Sequence, residues 1–351
     1  MNTSKRLDHL DMVKGIGIFL VVLGHMEDIS TGTRVWISSF HMPLFFIVSG
    51  ILMAVKNEPS RDLRESVAKR VRGIIIPYLW FSLSYFIIDI GNLKVVHNID
   101  FRTFIVDIID SATFYGMSVL WFLPALFLAS VGFLFLKKKL PDRILSWLLI
   151  VIAVAAYLIR VQLAVPYMAN EDSIPITSLF KIIYIFLRAA IAQCFVGYGY
   201  YAKVLFDRMH LSSRPALFAA GCILLVINVL LSNMNGCVDL RNIICNSLLL
   251  YFAGAFTGCF GMILIMKAVP PVKLITYFGK NSLIVMACHI NYYFLYAGLR
   301  LAWVVDTFVK HAKHYVFIAV VVITVFVLSF VVIEVINRWF PFVIGKKRAG
   351  S

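Results

Sequence analysis

The chain has 351 residues, 61% of them hydrophobic and only 15% charged, with a mean hydropathy of +0.88. Such values exclude a soluble globular domain and mark a membrane-embedded chain. The formal net charge of +15 is that of a polytopic protein whose cytoplasmic loops collect Lys and Arg, so no nucleic-acid partner is expected. Basic segments beside a bilayer also suit anionic membrane lipids and phosphorylated ligands.

In chain order, the first apolar segment covers about 11–28 and the second about 36–55. Lys5 and Arg6 precede the first, but no small-residue cleavage site follows it, so it reads as a retained helix rather than a signal peptide. A dense basic loop, KNEPSRDLRESVAKRVRG, follows the second. Further spans are expected at about 74–91, 117–136, 144–162, 179–202, 215–232, 242–266, 274–296 and 315–336. Residues 92–116 are mixed and amphipathic and read as a surface segment; a loop with Arg300, Asp306, Lys310 and Lys313 follows the ninth span. The expected fold is all-α: a polytopic integral-membrane helical bundle of about ten transmembrane helices. It forms a single domain over 1–351, with no appended soluble domain.

Ten spans put both termini on one side. The N-terminus, the 56–72 loop, the 137–143 and 203–214 loops and the C-terminal tail are Lys/Arg-rich and share that side, which makes it cytoplasmic. The opposite loops carry acids, notably Glu171 and Asp172. None of the six cysteines forms a CxxC pair, and most lie in apolar stretches, so neither a disulfide framework nor a metal site is expected.

Ionisable groups inside apolar helices are costly and mark function more often than packing. Lys14 and His25 are eleven positions apart, about three helical turns, so both lie on one face, roughly 16 Å apart along the axis. A neutral imidazole can take a proton from a hydroxyl and return it, which suits His25 to general-base chemistry. Asp28 is placed to orient the ring through a helical i, i+3 contact. The alternative for His25 is a packing histidine bonded to another helix. His41, in FHMPLFF, reads as interfacial; His289, near Asn281 and Asn291, reads as a polar contact between helices. Imidazole is also a haem ligand, but no spacing among His25, His41 and His289 singles out a pair. Arg61, Arg64, Lys69, Arg70 and Arg72 form a compact cationic cluster suited to phosphate, denser than topology alone requires. Arg188, deep in the sixth span, needs Asp11, Asp89, Glu334 or a bound anion as counter-charge. Ser49 is an acyl acceptor or, more simply, a small residue that permits close helix packing. The nucleophile elbow, the P-loop and the dinucleotide fingerprint are absent from the sequence.

These residues resemble the membrane acyltransferase-3 family. Its motif of a basic residue, ten residues and a histidine appears as Lys14 to His25 within LDMVKGIGIFLVVLGH. FHMPLFFIVSG (Phe40 to Gly50), LWFLPALF (Leu120 to Phe127) and YFGKNSLIVMACH (Tyr277 to His289) are similar to three further family segments. The family's R-x-x-R appears as Lys69-x-x-Arg72, with Lys69 in place of the first arginine and Arg70 beside it. Within the family, the N-terminal motifs look most like the fucose 4-O-acetylase branch.

The resemblance implies an integral enzyme of the bacterial cytoplasmic membrane, multi-pass, with both termini inside. It would move an acetyl group from acetyl-CoA, its acyl-CoA donor, to a hydroxyl of a glycan or lipid-linked sugar, without a metal. His25 then corresponds to the essential histidine, Lys14 to the basic residue of that motif, and Lys69 and Arg72 to the acyl-CoA pair. Arg188, Lys280 and Asn281 are alternatives for stabilising the oxyanion. A transporter of a sugar or anionic solute is the competing class, since such proteins also carry intramembrane charges; the missing internal repeat speaks against it. A membrane scaffold or sensor is the third. Acceptor identity, acyl chain length and homo-oligomerisation stay open.

Overall fold

The structure, a computed structural model, describes residues 8–96, 99–208, 213–309 and 314–346. Lys5, Arg6, residues 209–212 of the expected basic loop, Lys310, Lys313 and residues 347–351 of the tail lie outside the described residues. The helices are α1 (Asp8–Gly24), α2 (Thr31–Val55), α3 (Leu63–Arg70), α4 (Ile76–Gly91), α5 (Phe101–Ala112), α6 (Phe122–Lys139) and α7 (Asp142–Met168). After them come α8 (Ile174–Arg208), α9 (Arg214–Asn235), α10 (Leu248–Ala268), α11 (Lys273–Lys280), α12 (Ser282–Cys288), α13 (Phe294–Val309) and α14 (His314–Trp339). Among the described residues the one β feature is an isolated bridge between Asp239 and Ile244.

Eight helices among the described residues are long and apolar enough to cross a membrane. α1, at 17 residues, and the interrupted run α11–α12–α13 supply the other two segments of the expected ten. α7 illustrates why these helices need lipid. It buries Leu145, Leu149, Ala153 and Ala156 along one stripe and exposes Trp147, Val151, Leu158 and Val165 on the other faces. A helix apolar all round, half of it uncovered, is stable only against hydrocarbon.

Four expectations need correction. The basic 56–72 stretch is largely helical: α3 runs through a π-helical turn, Val71–Ile75, directly into α4. The first helix stops at Gly24, before the expected 28. The ninth span is broken at Asn281 and again after Cys288, and the expected loop beyond it is α13. There the apolar residues of FLYAGLRLAWVV recur at helical spacing, and Arg300 stays at the surface. Finally, the 92–116 segment is only partly superficial, because α5 buries Asp110 and Ser111.

The chain forms two compact units. The first holds Met1–Val48, Leu205–Asp239 and Ile244–Glu334; the second holds Ser49–Val204, Leu240–Ile243 and Val335–Ser351. In the first unit, α1 and α11 lie side by side in backbone contact. A Cβ on Gly279 would fall 1.7 Å from Asp11 O, and one on Gly15 would fall 2.2 Å from Ile275 O. Small residues replace hydrophobic drive where the surroundings are as apolar as the helices. Polar bonds add to this: fully buried Asn228 on α9 donates to Ser39 Oγ on α2 (2.9 Å) and to Gly254 O on α10 (2.8 Å).

In the second unit, α5 and α6 are separated by an irregular stretch in which Phe114, Gly116 and Ser118 have positive φ. A Cβ on Gly116 would meet the Trp121 backbone at 2.4 Å, so only glycine fits that turn. Tyr78 donates to Ser111 O (2.7 Å) and Lys181 to both oxygens of Asp110 (2.8 and 2.9 Å), fixing α5 to α4 and α8. Burial raises the Asp107 carboxyl to about 6, helped by repulsion from Asp89 and Asp110, with Lys181 and Arg241 opposing.

Two outcomes are expected. Gly279→Val should abolish recovery of monodisperse protein in detergent, whereas Gly73→Ala, with nothing within 4 Å of its Cβ, should behave as the parent. The raised Asp107 pKa means that the folded state holds this proton more tightly than the unfolded chain. Stability from this group is present below pH about 4 and is lost as pH rises to about 6. Asp107→Asn should therefore raise the thermal midpoint at pH 7.5 and leave it unchanged near pH 4.

Candidate active site

The first unit brings together three histidines that are far apart in sequence. Because α1 ends at Gly24, the backbone N–H of His25 turns to Val22 O (3.3 Å). That frees Val21 O, and the side chain takes it: His25 Nδ1–H donates to Val21 O at 2.7 Å. The imidazole thus caps its own helix end. A carbonyl can only accept, so the proton sits on Nδ1 and Nε2 carries the lone pair. His25 is exposed in the turn that follows α1.

His289 follows the last residue of α12, ahead of a turn that closes with Tyr293 at φ 59°. It is fully buried. Its Nδ1–H donates to Met286 O (2.7 Å) and Val285 O (3.2 Å). Its Nε2 lies 3.4 Å from His25 Nδ1, the ring centroids are 5.0 Å apart, and the rings meet edge to face at 66°. The parallel run of α11–α12 beside α1, locked at Gly15 and Gly279, sets this meeting. His41 on α2 donates from Nδ1 to Ile37 O (2.8 Å) and lies near His25. In the turn after His289, the buried Asn291 Oδ1 has no hydrogen-bond donor among the described residues.

The orientation of His25 does not come from Asp28. Helical register is lost at Gly24, and Asp28 is exposed in the turn; the helix carbonyl does that work. Lys14 pairs with Asp11 at 2.8 Å, half-buried on α1. Asn281 donates to Tyr277 O (2.9 Å) at the junction of α11 and α12, and Lys280 is exposed. Both follow Gly279, at the level of Asp11 and Gly15, which the helical rise puts roughly 15 Å from His25.

The second unit holds the basic cluster. Lys69, Arg72, Arg61 and Arg64 are exposed. Arg70 is not: its guanidinium pairs with buried Glu58 at 2.5 Å, while Lys69 stands 3.9 Å from the same carboxylate and Arg61 3.9 Å from Glu65. Glu58 went unremarked in the sequence, although an acid at the head of a basic run is the signal of an internal counter-ion. Arg188, 2% exposed, donates to Tyr115 O (3.3 Å) and Tyr184 O (3.4 Å) and lies over the rings of Tyr115 and Trp121. It serves the carbonyl of the α5–α6 interruption. Of its expected counter-ions, Asp11 is with Lys14, and Glu334 accepts from Tyr277. A cleft of about 450 Å³ in this unit, lined by Ile75, Phe127, Ile182 and Phe186 among others, is almost wholly apolar and offers nothing to bind phosphate or activate a hydroxyl. Among the described residues no group of three or more His, Cys, Asp or Glu is arranged to hold a metal ion.

The model of the acyltransferase domain of the acyltransferase-3 family matches residues 7–336, nearly the whole chain. The chain belongs to the acyltransferase-3 family. It is a multi-pass membrane acyltransferase. No curated protein and no solved structure matches it, so the family membership carries the reaction class and the geometry carries the rest.

Removing one partner of a buried ion pair leaves an uncompensated charge, at a cost of about 3–5 kcal/mol. Glu58→Ala should accordingly lower stability by about that amount. Glu65→Ala, at an exposed pair, should change it by less than about 1 kcal/mol. Chemical or thermal unfolding of the two variants side by side checks this.

Proposed function

We propose that this acyltransferase moves an acetyl group from cytoplasmic acetyl-CoA to a hydroxyl of a cell-surface glycan or lipid-linked sugar, with His25 as general base. The observation that supports this best is the commitment of the His25 Nδ1 proton to Val21 O at 2.7 Å. It leaves Nε2 unprotonated on an exposed residue, ready to accept the proton of an incoming hydroxyl.

In the proposed step, the acceptor oxygen attacks the thioester carbonyl carbon while its proton passes to His25 Nε2. The tetrahedral intermediate collapses, the C–S bond breaks, and the departing sulfur takes the proton from Nε2. The products are the sugar ester, free CoA thiol and neutral His25. The exposed cations Lys69 and Arg72, with Arg61 and Arg64 nearby in sequence, recognise the donor phosphates; Arg70, paired with Glu58, holds α3 in shape. Lys14 and His25 lie roughly 16 Å apart along α1, a length that an extended pantetheine arm covers. Membrane lipids and the acceptor complete the partners. The setting is the bacterial cytoplasmic membrane with both termini inside, which the Lys/Arg distribution favours.

Thiol release from acetyl-CoA by purified protein tests the reading, since water slowly replaces an unknown acceptor. His25→Ala should abolish release. Arg72→Ala should raise KM about tenfold, the value of one charge-assisted hydrogen bond, with kcat kept. Normal release by His25→Ala overturns the base assignment. Absence of both release and acetyl-CoA-induced thermal stabilisation in the parent overturns the donor.

A further inference from the structure

On accepting a proton at Nε2, His25 becomes an imidazolium, and its remaining Nδ1–H becomes a much stronger donor at that moment. Two acceptors surround that proton: Val21 O at 2.7 Å and His289 Nε2 at 3.4 Å. His289 can only accept there, because its own Nδ1 proton is held by Met286 O and Val285 O. A ring present for packing alone has no reason to aim a bare lone pair at an N–H.

We infer that His289 is the positioning residue of the acyl-transfer centre: its Nε2 lone pair holds the His25 ring by the Nδ1–H edge and stabilises the imidazolium formed during transfer. This rests on the general-base reading above. No proton passes to His289, since the resulting charge would have no outlet: its other nitrogen already donates to helix carbonyls. The positive charge stays on His25 until the sulfur reclaims the proton. A carboxylate in the same place would bind the imidazolium more strongly, but between turnovers it would be a buried, unpaired anion in apolar surroundings. A neutral imidazole is uncharged throughout and tightens only when charge appears on its neighbour. The elements enforce the contact: α11 and α12 track α1 through Gly15 and Gly279, and the turn after His289, closed by Leu295 N–H on His289 O at 2.9 Å, fixes where α12 ends.

The test compares His289→Leu, His289→Gln and His25→Ala in the thiol-release assay. His289→Leu should lower kcat about ten- to a hundredfold, the worth of a hydrogen bond to a charged group, with the KM for acetyl-CoA unchanged. His289→Gln, whose amide oxygen restores an acceptor, should recover most of the loss. Parental kcat in His289→Leu overturns the inference, and so does a His289→Gln variant as slow as His289→Leu. If His289→Leu does not fold, nitrogen-15 NMR of histidine-labelled parent decides: both rings should be Nδ1–H tautomers, and an Nε2–H form at His25 overturns the assignment. An inactive His25→Ala beside a fully active His289→Leu sinks this inference alone. An active His25→Ala sinks the general-base reading first.

Discussion

Within a bilayer every polar group must find its partner inside the protein, and the meeting of His25 and His289 is built from the places where helices cannot comply. A helix that stops leaves its last carbonyls without amide donors. α1 stops at Gly24 and α12 at Cys288, and in both cases the next residue is a histidine whose Nδ1–H turns back to a carbonyl of the last turn. Satisfying the backbone fixes the tautomer. Once Nδ1 is spent on Val21 O, His25 has only Nε2 left for chemistry. The same constraint that would forbid a broken helix in hydrocarbon thereby leaves Nε2 of His25 unprotonated.

Charge elsewhere follows a related rule, that a cation kept away from water carries its counter-ion with it. Lys14 sits one turn from Asp11, Arg70 on Glu58, and Lys181 on Asp110. Arg188 uses the other available currency of negative potential, backbone carbonyls and aromatic faces. In the basic stretch this sorts structural from available cations. Arg70 is consumed by Glu58 and shapes α3, while Lys69 and Arg72 remain exposed. The replacement of an arginine by Lys69 falls on an exposed position, where a point charge still attracts phosphate although the bidentate fork is lost.

The centre has little margin in its geometry. The approach of His289 to His25 depends on backbone contact between α1 and α11, where two glycines remove every intervening atom. A lateral shift of an ångström would move the Nε2–Nδ1 separation from 3.4 Å out of any useful range. Rigid helix-on-helix packing, rather than loop closure, therefore sets the relation between the two rings.

The sequence by itself determined the all-α membrane character, the family, and His25, Lys14 and the basic stretch as the places to look. Hydropathy, charge bias and motif spacing are local properties, and a span of twenty apolar residues announces itself without neighbours. It also put Arg188 under suspicion, because a lone charge in an apolar run is visible in one dimension. Only the tertiary structure decided what those residues do for one another. That Asp28 has no hold on His25 follows from a helix end at Gly24, set by where the backbone turns toward Met26. That 294–309 is helical was legible in its apolar spacing, whereas the breaks of the ninth span at Asn281 and His289 depend on packing that periodicity does not record. The pairing of His25 with His289 joins residues 264 positions apart. No local pattern encodes such a contact, because it arises from how closely two helices approach, and that distance is fixed by what is missing at Gly15 and Gly279.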